Sequence, residues 1–114
     1  MRHVVKALNK LLENSKQPLN TWNFISIENG EDVKGIAPTV KFTIQSDPIG
    51  EVGVNGLQAA DMLEYVKCLF ESLNETYHSD FNDITIQALE VALSMQDART
   101  KDRELRKVEG TNQK

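Results

Sequence analysis

The chain has 114 residues, of which 39% are hydrophobic and 26% are charged, and its formal net charge is −4. This length fits one domain, 1–114, and the acidic balance argues against a binder of DNA or RNA polymers, which needs a basic surface. The sequence has neither an apolar run near the roughly 18 residues of a membrane-spanning helix nor a signal-peptide pattern, so we expect a cytoplasmic protein that does not bind membranes.

The N-terminal segment has the spacing of an amphipathic helix. Its apolar residues recur three or four positions apart and form one stripe, while lysines and other polar residues lie opposite. This spacing predicts a helix over residues 3–14. Pro18 and Asn20 then favour a turn, since proline cannot continue a helix.

Three segments between residues 20 and 55 have strand patterns. Residues 21–28 are apolar on both faces, which predicts a strand covered on both sides. Residues 39–46 alternate between apolar and polar side chains. Residues 49–54 read as a third short strand, and the glycines inside it indicate either a bulge or the close approach of a backbone or a ligand. Residues 31–36 are too polar for a tight hairpin and predict a longer loop.

The spacing of apolar residues in the second half of the chain predicts two helices. Asn55 is the N-cap candidate of the first, with Gln58 as its capping-box partner, and this helix extends to about Leu73. After a polar connection, Asn82 or Asp83 caps the final helix. Two helices joined by a short loop are expected to pack as an antiparallel hairpin.

These elements predict an α+β fold with an N-terminal helix, a small three-stranded antiparallel sheet over about 20–55 and a C-terminal antiparallel helical hairpin over about 56–110. Cys68, the single cysteine, is expected in the core. The final helix is apolar around more than one face between Ile84 and Met95. One helix and a small sheet cannot cover all of this surface, so we expect self-association about a two-fold axis.

A basic stripe follows the apolar part of the last helix. Arg99, Arg103 and Arg106 recur at i, i+4 and i+7 and therefore share one face. One interpretation is a solvated helix end, stabilised by two acid-first pairs at i,i+4. These pairs are Asp97–Lys101 and Asp102–Arg106. The other interpretation is an anion site, because the planar arginine side chain can bind phosphate through two hydrogen bonds.

The sequence offers little for catalysis or metal binding. His3 and His78 have no metal-ligand spacing between them, and Cys68 lies in an apolar helix with no local basic activation. The glycines match neither the P-loop nor the dinucleotide-binding fingerprint. We therefore expect a binding protein that is not an enzyme and that uses no metal or cofactor.

Four segments, in chain order, carry a resemblance to a known family. They are Trp22-Asn23-Phe24-Ile25, Pro48-Ile49-Gly50-Glu51-Val52-Gly53-Val54-Asn55-Gly56, Ala98-Arg99-Thr100 and Arg106-Lys107-Val108-Glu109-Gly110-Thr111. From Asn20 onward the chain resembles the phage anti-defence family founded by the Thoeris anti-defence protein. Its C-terminal hairpin is also similar to that of phage anti-CBASS proteins.

The resemblance implies a sponge that works in the cytoplasm of an infected bacterial host. Family members bind the immune signal glycocyclic ADP-ribose without cleaving it, and some relatives also bind cyclic di- or trinucleotides. They act as homo-oligomers built from dimers, which implies a dimer or a higher assembly such as a hexamer. By position, Arg99 and Arg103 would grip the pyrophosphate and Asn82 would contact the ribose or the base.

The chain also departs from the family pattern. Ser72 stands where relatives often have an aromatic residue, so Phe81, Phe70 and Tyr77 are alternatives for stacking on a base. Residues 79–81, Ser-Asp-Phe, replace Cys-Arg-Glu, and Lys107 replaces a glycine. The candidate ligand-binding residues are Arg99, Arg103, Asn82, Phe81 and Arg106. The alternative function is an oligomeric protein-binding or structural module whose arginine face docks an acidic partner.

Overall fold

The computed structural model describes residues 3–13, 21–28 and 38–106, and it shows an α+β protein. The amphipathic N-terminal pattern forms α1, His3–Glu13, as predicted, and its apolar side buries Ala7 and Leu11. The expected loop at 31–36, the turn at Pro18, and the family-like residues after Arg106, including Lys107, lie outside the described residues.

The sheet has two strands in the described part of the chain. β1, Ile25–Glu28, pairs antiparallel with β2, Thr39–Phe42, so that Ile25 lies opposite Phe42 and Ile27 lies opposite Val40. These four side chains are buried or half-buried while those between them are exposed. The prediction of a first strand apolar on both faces was wrong, because residues 22–24 form a 3₁₀ turn and only the remainder is extended.

The predicted third strand over 49–54 was also wrong, since Ile49–Val52 forms the single-turn helix α2. Pro48, at φ −63°, is the N-cap of this helix, and Gly53, at φ +77°, ends it in a conformation that favours glycine. After α2, an isolated parallel bridge joins Leu57 to Ile44, which follows β2 in the chain. Proline and glycine at the two ends therefore overrode the strand-like apolar residues between them.

Two longer helices follow, as expected, but they begin at other caps. α3, Ala59–Thr76, is capped by Gln58, whose capping-box partner is Asp61 rather than the predicted Asn55 and Gln58 pair. α4, Asp80–Leu105, is capped by Ser79 instead of Asn82 or Asp83. Residues 77–79 join the two helices, which pack against each other.

The core lies between α1, the sheet and α3. Its buried hydrophobic residues are Ala7, Leu11, Trp22, Ile25, Leu57, Tyr65 and Cys68. Cys68, 2% exposed, is in the core as predicted. The Tyr65 hydroxyl donates to the carbonyl oxygen of Val4 at 3.0 Å and so ties α3 to α1. α4 contributes no residue to this core, because the only side chain buried on it in the described range is Arg103. None of the described helices could span a bilayer.

Candidate functional site

The basic stripe occupies the last turns of α4, and its three arginines have different environments. Arg103 is 5% exposed, whereas Arg99 and Arg106 are exposed. A buried guanidinium is rare in proteins, and Arg103 is less accessible to a ligand than Arg99 and Arg106 are. Arg99 has no ion pair or side-chain hydrogen bond with any described residue. Its five N–H donors are available to a ligand.

The two acid-first pairs of the alternative interpretation are both present. Lys101 Nζ lies 3.0 Å from Asp97 Oδ2, and Arg106 Nε lies 3.1 Å from Asp102 Oδ2. All four side chains are largely exposed, so each pair stabilises the helix by no more than about 0.5 kcal/mol. These pairs account for Lys101 and in part for Arg106, and they leave Arg99 exposed without an acidic partner among the described residues.

The other predicted ligand residues lie at the start of α4. Phe81 is 84% exposed and Asn82 is half-buried. Of the three aromatic residues considered for stacking, Phe70 is half-buried on α3, and the ring of Tyr77 packs edge-on against His3 with 5.9 Å between ring centroids. Phe81 is therefore the aromatic residue whose ring is most open to a planar ligand.

A hydrogen-bond network fixes this helix start. Asn74 Nδ2 donates to Asp83 Oδ1 at 2.7 Å, and Asn74 Oδ1 accepts from the Ser79 N–H at 2.9 Å. His78 Nε2 lies 3.0 Å from Asp83 Oδ2, and Ser79 Oγ accepts from the Phe81 N–H at 3.2 Å. The end of α3 and the start of α4 are thereby held together, which sets the position from which Phe81 and Asn82 project.

Ligand atoms of His78, Asp80 and Asp83 lie within 4.8 Å of one another, an arrangement that could hold a cation. The spacing of the two histidines did not predict this cluster, although His78, Asp80 and Asp83 are close along the chain. Two carboxylates in the first turn of a helix are favourable without any ion, because they oppose the positive end of the helix dipole. The helix start itself thus explains the two carboxylates.

The predicted residues form two groups that are far apart in one chain. Asn82 and Arg99 lie on the same continuous helix, and at about 1.5 Å per residue the two backbone positions are roughly 26 Å apart along its axis. One chain therefore does not bring the group of Phe81 and Asn82 onto the same small ligand as the arginines.

A second basic surface lies in an open cleft of about 310 Å³ between α1 and α3. Its lysines are already engaged, since Lys6 Nζ lies 2.6 Å and Lys10 Nζ 3.4 Å from the Glu75 carboxylate. These hydrogen bonds hold the pKa of the Glu75 carboxyl below its usual value. Because each cation faces an acid, this cleft is a poorer anion site than the end of α4.

Comparison with known proteins adds no constraint on this site. No protein-family model matches the sequence, and no curated protein matches it.

Proposed function

We propose that the protein binds and sequesters a cyclic nucleotide signal of the glycocyclic ADP-ribose type, with cyclic di- or trinucleotides as further ligands. The observation that carries this proposal is Arg99, an exposed arginine without a counter-charge among the described residues, on the same helix face as Arg103 and Arg106. In a chain of net charge −4, such a local cation favours a small anion over a nucleic acid polymer. The family resemblance points to the same ligand class.

Sequestration without cleavage is the second part of the proposal. Burial and the nearby Glu64 and Glu71 raise the pKa of the Cys68 thiol to about 11, so it is a poor nucleophile at neutral pH. His78 lies against Asp83 at a helix start, more than 20 residues from the arginines along the chain. These features support a binder that holds its ligand intact, as in an anti-defence sponge acting in the cytoplasm of an infected host.

A complete site would require two copies of the chain. Arginines at the end of α4 can grip a pyrophosphate, whereas Phe81 and Asn82, which could contact the base and the ribose, lie at the other end. Since the two groups are roughly 26 Å apart in one chain, we propose that the ligand binds between subunits of a homo-oligomer.

Calorimetric titration tests the proposal directly. Glycocyclic ADP-ribose, a cyclic dinucleotide and a cyclic trinucleotide are titrated separately into the purified protein. The protein–ligand complex is then heat-denatured and the released ligand is analysed by chromatography. Saturable binding with recovery of intact ligand is expected. Absence of binding to all three ligands would refute the nucleotide proposal, and recovery of a cleaved product would refute sequestration.

Arg99→Ala tests the position of the site. We expect weaker binding by about 1.5–3 kcal/mol, the typical value of a hydrogen bond to a charged group. Lys101→Ala is the matched control, because it removes the same charge from the same helix at a residue already paired with Asp97. If Arg99→Ala and Lys101→Ala weakened binding by the same amount, long-range charge rather than direct contact would explain the affinity. If neither variant weakened binding, the position of the site would be wrong.

The second candidate function is a protein-binding module that docks an acidic partner on the arginine face. The exposed apolar side chains of α4, which include Val91 at 62% and Met95 at 60%, favour a protein contact of some kind. This function predicts no nucleotide binding and a salt-sensitive complex with one acidic protein. The same titrations therefore separate the two candidates.

A further inference from the structure

Three side chains that can ligate a metal ion converge where α3 meets α4. They are His78, which lies between the two helices, and Asp80 and Asp83, which lie in the first turn of α4. One ligand atom of each lies within 4.8 Å of the other two. No other set of three histidine, cysteine or acidic side chains is brought together in this way in the part of the chain that the structure describes.

The imidazole distinguishes this cluster from an ordinary helix start. The helix dipole favours Asp80 and Asp83, but it disfavours a protonated imidazole beside the same positive end. The two aspartates are also three residues apart on one helix face, so their charges repel each other. Asp80 has no side-chain hydrogen bond or ion pair with a described residue. A divalent cation would offset this repulsion and accept a lone pair from each of the three side chains.

Two of the three ligand atoms are already near the spacing that one ion requires. His78 Nε2 lies 3.0 Å from Asp83 Oδ2. Two ligand atoms bound to one tetrahedral Zn²⁺ at about 2.0–2.2 Å are roughly 3.3–3.5 Å apart. Asp80 is exposed, so rotation of its side chain can bring its carboxylate to the same ion.

Asn74 holds one of the ligands in place from outside the cluster. Its Nδ2 donates to Asp83 Oδ1 at 2.7 Å, and its Oδ1 accepts from the Ser79 N–H at 2.9 Å. The first of these bonds leaves Asp83 Oδ2, the oxygen that faces His78, for an ion. Carboxylates that bind metals are commonly oriented by such an outer hydrogen bond.

We propose that His78, Asp80 and Asp83 bind a divalent transition-metal ion of the Zn²⁺ class, through His78 Nε2 and one oxygen of each aspartate. The imidazole nitrogen favours Zn²⁺ over Mg²⁺ and Ca²⁺, which prefer oxygen ligands. Three protein ligands leave a further position for water. The ion joins the connection to the first turn of α4 and so fastens the start of this helix. This site does not depend on the proposed nucleotide binding.

Calorimetric titration of ZnCl₂ into the chelator-treated full chain tests the site. Saturable binding of one ion per chain is expected, with Mg²⁺ and Ca²⁺ binding roughly tenfold more weakly or less. His78→Ala removes one of three ligands and should weaken Zn²⁺ binding by roughly tenfold or more. His3→Ala is the matched control, because His3 is the other of the two histidines and lies on α1. Equal Zn²⁺ affinities of the two variants would overturn the site, as would equal affinities of the parent for Zn²⁺ and Mg²⁺.

A second pair of variants separates coordination from long-range charge. Asp80→Asn and Asp97→Asn each remove one negative charge from α4, and Asp97 is paired with Lys101 away from the cluster. Asp80→Asn should weaken Zn²⁺ binding by roughly tenfold or more, whereas Asp97→Asn should change it by less than about twofold. Equal losses would overturn the assigned ligands. Circular dichroism checks that each variant is folded.

NMR of the histidine ring nitrogens tests the assignment in the unsubstituted protein. The chain has two histidines, so the His78 signals are identified by their absence in His78→Ala. Zn²⁺ is expected to shift the His78 Nε2 signal and to leave the His3 signals unchanged. A shift of both histidines, or of neither, would overturn the proposal. No nucleotide is present in these experiments, so their failure is distinguishable from failure of the proposed ligand binding.

Discussion

Asp61 is a buried carboxyl, 4% exposed, that links the 3₁₀ turn to α3. It accepts from the Gln58 N–H at 2.9 Å and from Thr21 Oγ1 at 3.3 Å. Burial raises the pKa of this carboxyl above its usual value of 3.8, although both hydrogen bonds act to lower it. The desolvation of the charged form therefore outweighs the two bonds that favour it.

This raised pKa predicts a pH dependence of stability. The folded protein binds the Asp61 proton more tightly than the unfolded chain, so the contribution of Asp61 is complete below pH 3.8 and declines as pH rises through the folded pKa. Asp61→Asn cannot titrate. Urea unfolding of both proteins from about pH 4 to pH 7 should therefore show the variant gaining stability relative to the parent. A constant difference across this range would contradict the assigned direction of the pKa shift.

Ser79 predicts a local effect on α4. Its hydroxyl caps the helix by accepting from the Phe81 N–H, so Ser79→Ala should lower the free energy of unfolding by about 1 kcal/mol. Ser94→Ala is the control, because the exposed Ser94 only donates to the Glu90 carbonyl within the helix and its loss should cost less than about 0.5 kcal/mol. Equal effects in chemical denaturation would show that Ser79 does not act as a cap.

At the scale of elements, the segment between β2 and α3 is held by side-chain amides instead of a third strand. Gln45 Nε2 donates to the Gly53 carbonyl at 2.9 Å, and Gln45 Oε1 accepts from the Asn55 N–H at 2.9 Å. Asn55 in turn accepts from the Ser46 N–H and donates to the Ser46 carbonyl. The backbone groups that a strand would have paired are thus satisfied by two side chains.

Gly56 lies where this segment meets the backbone of residues 44–45. A Cβ atom at Gly56 would lie 2.5 Å from the Gln45 nitrogen and closer still to the Ile44 carbonyl carbon. Gly56→Ala should therefore destabilise the protein by about 1–3 kcal/mol or more in thermal or urea unfolding. Gly50→Ala, on the exposed face of α2, should be neutral or stabilising by up to about 1 kcal/mol. Comparable losses for both variants would refute the close approach at Gly56.

Periodicity predicted those elements that bury one face. α1 and the two long helices follow from apolar spacing, and β2 follows from alternation. β1 was predicted only as part of a longer strand that is apolar on both faces. The starts of the two long helices were harder to predict, because several residues that can cap a helix stand close together there. In the folded chain the N-caps are Gln58 and Ser79, instead of the predicted residues nearby. The short helix α2 was missed because a local pattern of apolar residues does not show where proline and glycine redirect the backbone.

The candidate site could be predicted in part. The helical spacing of the arginines and both acid-first pairs were readable from the sequence, since they lie within one helix. The burial of Arg103 and of Asp61 was not readable, because it depends on residues distant in the chain. The sequence predicted one continuous final helix, and this continuity separates Asn82 from Arg99. The sequence did not predict which residues lie next to each end of the helix.

At the scale of the whole molecule, the protein consists of a core and a long outer helix. The core is closed by α1, which packs on α3, so α1 is more important for folding than its short length indicates. α4 packs against α3 with half-buried side chains only, apart from Arg103. We infer that core substitutions on α1 affect folding more than substitutions on the exposed face of α4 do.

Two adjacent leucines on α1 test this division. Leu11 is 1% exposed and Leu12 is 50% exposed. Leu11→Ala should cost about 2–5 kcal/mol, because it removes apolar contacts and leaves a cavity between α1 and α3. Leu12→Ala removes the same atoms from the surface, and half of that side chain is already in water, so it should cost less than about 1 kcal/mol. A loss of 2–5 kcal/mol is a large part of the roughly 5–15 kcal/mol that stabilises a domain, so Leu11→Ala should be partly unfolded near physiological temperature. Equal unfolding midpoints for the two variants would show that α1 does not close the core.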